Sequence, residues 1–333
     1  MAGSSPSRMP GTYAVMALGV AAGRRFSREW QGGALHRWGL SRGRPEGLSA
    51  APRDLRPTDP ENGRRILAGA FVLAGATLTP GPRGDPFDQP SPDRRFATAL
   101  HRMGWLRDLV SLDEAGATEG LRLVLEWRRT FGRWNAFAWS PDVAERRAFN
   151  LACAARAICA GASEAEIAQI ALDLARHGRF LLQVKEGPVR AAERAAAAAV
   201  AGAALAGKAG DRLLARALSR LVRTLPATVL PDGGHASRSP QAALELLFDL
   251  LTLDDALVQR GIAAPDEVMR ALDRLAGTVR FFTLADGKLA AFQGGEELSA
   301  AYIAAARAHD EMEVRPTPAA RNGYHRLEAR SLQ

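Results

Sequence analysis

The feature that most constrains this chain is a run of helical segments with legible starts, extending for about two hundred residues from Ser91. Ser91-Pro92, Ser140-Pro141 and Ser239-Pro240 each place a capping hydroxyl before a proline at the first helical position, where the missing N–H costs nothing. Ser163 and Glu166 have the spacing of a capping box. Between these starts apolar residues recur at helical intervals: Phe96, Leu100, Met103 and Val110, then Leu121, Val124 and Leu125, later Leu244, Leu247 and Leu251. The pattern predicts helices near 91–112, 116–133, 141–160, 163–182, 188–206, 209–223, 240–260, 265–282 and 296–308. That set exceeds one four-helix bundle. No repeat of about 33 to 47 residues with a fixed signature is visible, which disfavours TPR and HEAT arrays. A mainly α fold remains: antiparallel helix pairs could stack as a solenoid, but closing into an α/α ring, a toroid of helix hairpins, fits better. The Ala-rich stretch Ala195–Ala206 suits a crowded inner position, as does the 240–260 helix.

The flanks read differently. A Pro-rich connector runs from Arg44-Pro45 to Thr58-Asp59-Pro60, and 66–80 has the alternation and glycine punctuation of a short β-hairpin. Past Val314, Pro316 and Pro318 break the helix, Asn322-Gly323 signals a turn, and Tyr324 to Leu332 reads as a strand without a partner. The expected division is therefore 1–60 as a basic N-terminal helix and connector, 61–315 as the toroid, and 316–333 as the start of a truncated β-domain.

Charge adds little about partners. The net +8 comes from 44 Lys and Arg against 36 acids, and only three of the 44 are lysines. Residues 1–65 hold 11 arginines and five acids; Arg24, Arg25, Arg28 and Arg37 read as a solvated helix face rather than a nucleic-acid module, which would pair basic residues with stacking aromatics. No apolar run reaches the ~18–20 residues of a membrane span. The apolar stretch Tyr13 to Ala22 lacks a convincing cleavage site, so the sequence alone reads as cytoplasmic. Cys153 and Cys159 are spaced neither as a redox pair nor as half a zinc site. None of the six histidines shares a helix face with another, so no metal or cofactor is expected. Walker, Rossmann and Gly-x-Ser-x-Gly signatures are missing, which argues against P-loop, dinucleotide-binding and elbow-type serine hydrolase classes.

One segment carries chemistry: Leu230-Pro231-Asp232-Gly233-Gly234-His235-Ala236-Ser237-Arg238-Ser239-Pro240. A turn delivers an imidazole, and Arg238 follows it just before a helix N-terminus. Histidine, guanidinium and the positive dipole end together suit a carboxylate or sulfate. A well-capped surface loop joining two helices satisfies the same spacing.

The stretch Asp232-Gly233-Gly234-His235 to Arg238-Ser239-Pro240, with the Leu-rich helix after it, resembles the heparinase II/III family of polysaccharide lyases. Also similar are Arg95-Phe96 to Trp105-Leu106-Arg107-Asp108-Leu109, Trp127-Arg128-Arg129 to Trp134-Asn135-Ala136-Phe137-Ala138-Trp139, and Gly323-Tyr324-His325-Arg326-Leu327. The resemblance implies an incomplete α/α toroid of helix hairpins followed by an antiparallel β-sandwich, a cell-envelope or periplasmic setting, and lytic β-elimination of a uronic-acid-containing acidic polysaccharide. It implies His235 as base or carboxylate ligand, with Arg238, Asp232, Tyr324 and His325 in contact with substrate. Three departures stand against activity. The family's tyrosine after Ser-Pro falls near Ala242, its asparagine falls near Gly187 to Arg190, and a further histidine belongs to the sandwich. The chain alone is therefore expected to be inactive and to self-associate through the toroid surface that the sandwich would cover. The alternatives are a non-catalytic glycan-binding or cell-envelope accessory module and a plain helical scaffold for a protein partner.

Overall fold

In the computed structural model the described residues are 33, 39–41, 43–185, 187–296, 298–308 and 322–327. The basic N-terminal helix expected around Arg24 to Arg37 lies outside them, as does most of the strand expected to reach Leu332. The described residues form a mainly helical, incomplete α/α toroid. In chain order the helices are α1 (Pro60–Leu67), α2 (Arg94–Arg102), α3 (Leu106–Val110), α4 (Asp113–Phe131), α5 (Pro141–Ile158), α6 (Glu164–Gln183), α7 (Ala191–Ala203), α8 (Gly207–Thr228), α9 (Pro240–Gln259), α10 (Asp266–Phe282) and α11 (Ala300–Arg307). Four short strands accompany them: β1 (Gly47–Leu48), β2 (Phe71–Leu73), β3 (Ala76–Leu78) and β4 (Leu205–Ala206).

Capping chemistry sets most of the boundaries. The Ser163–Glu166 box is reciprocal: the hydroxyl accepts from the Glu166 N–H, and the carboxylate takes the Ser163 N–H at 2.8 Å. The Ser239 hydroxyl accepts from the Ala242 N–H. At the first helix expected from 91 the signal misleads. Asp93, not Ser91, accepts from the Phe96 N–H at 2.8 Å and opens α2. That segment also does not run on to 112, because Met103 turns left-handed at φ 58° and the chain restarts as α3. The hairpin is shorter than 66–80: β2 and β3 pair Phe71 with Leu78, while Ile66 and Leu67 end α1.

Helix α7 is the axis. From Ala192 to Ala203 every residue is buried, and α5, α6, α8 and α9 all pack on it. Its small side chains let these neighbours approach closely. A Cβ at Gly202 would lie 2.7 Å from the Leu214 backbone nitrogen of α8, so that crossing is set by the absence of a side chain.

The Pro-rich connector straps across this core. β1 pairs antiparallel with β4, Ser49 N–H donates to Ala204 O at 2.8 Å, and Arg53 meets Asp255 of α9. Arg56 is 5% exposed. Its guanidinium bonds Glu245 Oε2 at 2.7 Å, Asp249 Oδ1 at 2.8 Å and Asp54 Oδ1 at 3.0 Å. Burial disfavours its charge, but the carboxylates outweigh that and hold its pKa well above the usual arginine value. A second polar cluster lies between α2, α4, α5 and α6. Arg147 is fully buried, 4.1 Å over the Trp127 ring, and its Nε donates to His177 Nε2 at 2.9 Å. Trp127 Nε1 donates to His101 Nδ1 at 2.9 Å.

Candidate functional site

The loop joining α8 to α9 folds through its own turn chemistry. Asp232 Oδ1 accepts from the Gly234 N–H at 2.8 Å, and Gly233 N–H donates to Leu230 O at 2.8 Å. Gly233 sits at φ +86°, where a Cβ would also meet Arg274 O at 2.4 Å; no other residue fits. Val229 and His235 then form a bridge, which tucks the imidazole inward.

His235 is 1% exposed. Its Nδ1 accepts from the Ser237 backbone N–H at 3.1 Å and lies 2.7 Å from the Ser237 hydroxyl. The tautomer follows from these partners: Nε2 carries the hydrogen and donates to Glu193 Oε1 of α7 at 3.0 Å. Burial alone would raise the Glu193 carboxyl. The hydrogen bond from His235, with the charge of Arg190, outweighs burial and holds it below the usual range.

From Glu193 a chain of ion pairs continues inward. Arg190 lies 3.7 Å from Glu193 Oε1 and bonds Glu145 Oε1 at 2.8 Å. Arg146 lies 3.3 Å from Glu145 Oε1 and also binds Asp249, and Asp249 leads to Arg56, Asp54 and Arg107. Tyr302 OH donates to Glu245 Oε1 at 2.9 Å beside it. Glu145, fully buried, is pushed up by burial and by the nearby Glu193 and Asp249 charges, against the pull of Arg146 and Arg190. Two carboxyls on one arginine, one raised and one lowered, are the arrangement by which a protein separates an acid from a base. At the outer end cations crowd together: burial and the charges of Arg190 and Arg146 lower Arg102, and Arg194 donates to Gly187 O at 2.7 Å. Arg190 keeps 42% of its side chain exposed.

The other expected site residues occupy two positions. Asp232 Oδ2 accepts from the Asn322 N–H at 2.5 Å, and the Asn322 amide donates to His235 O, so Asp232 fastens residues 322–327 to the loop. Arg238, at φ 62°, lies 5.1 Å over the Tyr324 ring. Tyr324 in turn stacks on Phe292 at 4.8 Å and 13°. His325 is exposed. An exposed Arg238 and a half-buried Tyr324 are thus brought together, while His235 faces the interior with Glu193. Glu193, Glu145 and Arg190 were not singled out in the sequence. A Glu-Arg pair inside a run of alanines was the available signal, since a buried helix carries charge only where a partner waits.

Among the described residues no cluster of three or more metal-ligating side chains forms, and no helix is long and apolar enough to cross a membrane.

This architecture is similar in fold to the helical toroid of heparinase III. It superposes on a crystal structure of heparinase III with a TM-score of 0.57 at 14% identity, covering 85% of this chain and 47% of that one. The heparan sulfate lyase HepC of Pedobacter heparinus gives 0.53 at 18% identity, covering 77% and 44%. At these identities the likeness is one of fold. No family model matches the chain. In sequence it is 52% identical over 329 residues to FtsZ-localized protein C of Caulobacter vibrioides (strain NA1000 / CB15N), an alignment covering 98% of this chain and 57% of that protein. The chain therefore spans a little over half the length of that curated relative.

Proposed function

We propose that this chain is the toroid portion of an accessory protein that localises with FtsZ and binds an acidic glycan without cleaving it by elimination. The likeness to FtsZ-localized protein C along 98% of the chain carries the reading. Two features support its non-lytic half. β-Elimination needs a base within about 3 Å of the proton it removes. Both ring nitrogens of His235 are engaged inside the protein at 1% exposure. The position after Ser-Pro where the lyase resemblance expects a tyrosine is Ala242, whose N–H serves the Ser239 cap. The glycan half rests on the exposed Arg238 over the half-buried Tyr324 ring and the crowded cations Arg102 and Arg190, which favour an anion.

The test has two arms. A fluorescent fusion of the whole chain should gather where FtsZ gathers and disperse when FtsZ is depleted. The purified chain, mixed with heparan sulfate, should bind it with an affinity that Arg238→Ala lowers and should generate no unsaturated-uronate absorbance. A fusion indifferent to FtsZ, or steady accumulation of unsaturated uronate, overturns the proposal.

A further inference from the structure

We propose that Ser237, His235 and Glu193 form a hydroxyl-activating relay that performs acyl transfer at the surface of the toroid. The inference goes beyond glycan binding and FtsZ localisation and rests on neither.

Three observations converge. Ser237 is exposed, and its Oγ lies 2.7 Å from His235 Nδ1. His235 is in the tautomer a base requires, with Nδ1 as acceptor and Nε2 donating at 3.0 Å to a carboxylate. That carboxylate, Glu193, is buried in α7, where its Oε1 takes the imidazole hydrogen and the neighbouring Arg190, 3.7 Å away, keeps it ionised. Nucleophile, base and orienting acid thus stand in order at hydrogen-bond spacing, the geometry that identifies such triads whatever the fold. The ring is reversed relative to the usual triad, with Nδ1 rather than Nε2 toward the serine. The serine reaches it from two residues along the same loop, which explains how the relay forms without a strand-to-helix elbow. The Ser239 N–H points at the same Oγ at 3.3 Å, and α9 presents its positive dipole end there; both stabilise negative charge on the oxygen.

The substrate class is an O-acyl ester on an anionic alcohol, with Arg238 next in the chain as the charge that draws it. Ser237 Oγ attacks the carbonyl carbon while its proton passes to His235 Nδ1. The tetrahedral adduct expels the alcohol, which takes that proton as the ester C–O bond breaks, and the acyl group stays on Ser237. Water repeats the sequence from the other side: its proton goes to Nδ1, the acyl–Oγ bond breaks, and Ser237 regains its hydrogen. The sum is ester plus water to acid plus alcohol. Glu193 touches neither substrate nor nucleophile. It is a positioning residue.

The experiment exposes the purified whole chain to a fluorophosphonate probe and, separately, to p-nitrophenyl acetate, with the labelled peptide mapped by mass spectrometry. Ser237 should carry the label, and Ser237→Ala should abolish both labelling and release of nitrophenol. Glu193→Gln should slow labelling by about 10²–10⁴-fold, the range of a lost base or a lost orienting carboxylate, and change its pH profile, with Glu193→Asp restoring part of the rate. His235→Gln should be silent. If that variant does not fold, Glu193→Gln and the pH profile still decide the matter. Absence of label at Ser237, label shared equally with other exposed serines, or a rate unchanged in Glu193→Gln overturns the proposal. None of these outcomes bears on FtsZ localisation or heparan sulfate binding.

Discussion

Lowering the pH should destabilise this protein through His101. His101 is 5% exposed, boxed by Phe87, Phe131 and Phe137, and its Nδ1 accepts from the Trp127 indole N–H. Protonation at Nδ1 would break that bond and place a cation near the buried Arg147. Burial, and then the Arg147 charge, accordingly lower its pKa from 6.5 to about 4. A histidine depressed in the folded state contributes stability that is fully present above the unfolded pKa. It is lost as pH falls from 6.5 toward about 4, because the unfolded chain binds the proton first. The full shift corresponds to about 3 kcal/mol, of which about 2 kcal/mol is gone by pH 5. His177 adds to the loss with the same sign, since burial and the Arg147 charge also push it well below 6.5. His101→Phe isolates the first contribution. It leaves the Trp127 N–H unpaired at every pH, costing about 1–3 kcal/mol, but it cannot titrate. Urea unfolding at pH 7 and pH 5, followed by tryptophan fluorescence, gives the four free energies. Wild type should lose about 2 kcal/mol more than His101→Phe between the two pH values. Equal losses, within about 0.5 kcal/mol, would refute the reasoning.

Three further outcomes follow from the packing. Arg56→Met leaves Asp54, Glu245 and Asp249 without their shared cation and should cost about 3–5 kcal/mol in urea unfolding, whereas Arg53→Ala, on a side chain 74% exposed, should cost under about 1 kcal/mol; similar costs for the two would show that the strap is not held by Arg56. Gly202→Ala forces a methyl to 2.7 Å from the Leu214 backbone and should cost about 1–3 kcal/mol, and an unchanged melting temperature would mean that α7 and α8 have slack. Burial pushes Cys153 well up and Cys159 up to about 11, so both should react slowly with a thiol reagent at pH 7 until denaturant is added; rapid native labelling of either would contradict its placement.

What could be read from the sequence is what was written locally. The Ser163–Glu166 box and the Ser239 cap each bind a backbone N–H within three residues, so the start of each helix is visible in four letters. Asp93 beside Ser91 shows the limit: two capping residues lie within three positions, and only tertiary packing selects between them. The Pro-rich connector was read as a link because its meaning is remote. Arg56 finds Glu245 at a separation of 189 residues, and β1 finds β4 across more than 150 positions. The loop of the candidate site was legible for the same reason as the caps, since Asp232, Gly233 and Gly234 form its turn among themselves. The inward direction of His235 was not. It depends on Glu193, 42 residues earlier, and no local signal connects the two.

The same contrast bears on how the lyase fold relates to function here. The toroid is specified by α7, whose small residues draw four helices close, and by capped hairpins around it; none of those features requires a catalytic tyrosine or asparagine. A chain can therefore keep the fold while its chemistry changes or disappears. Close packing around α7 also leaves little room for medium-sized polar side chains. Its interior charges are long ones, Glu193 and Arg194, which reach outward to other elements. Glu193 meets the loop through His235 and the 3₁₀ turn Pro188–Arg190 through Arg190, so the packing that builds the ring also fixes the imidazole from behind. With Nε2 held there, the open course for proton transfer runs through Nδ1 to Ser237, the exposed member of the three. The relay proposed above would thereby direct chemistry at this loop to a serine oxygen at the surface.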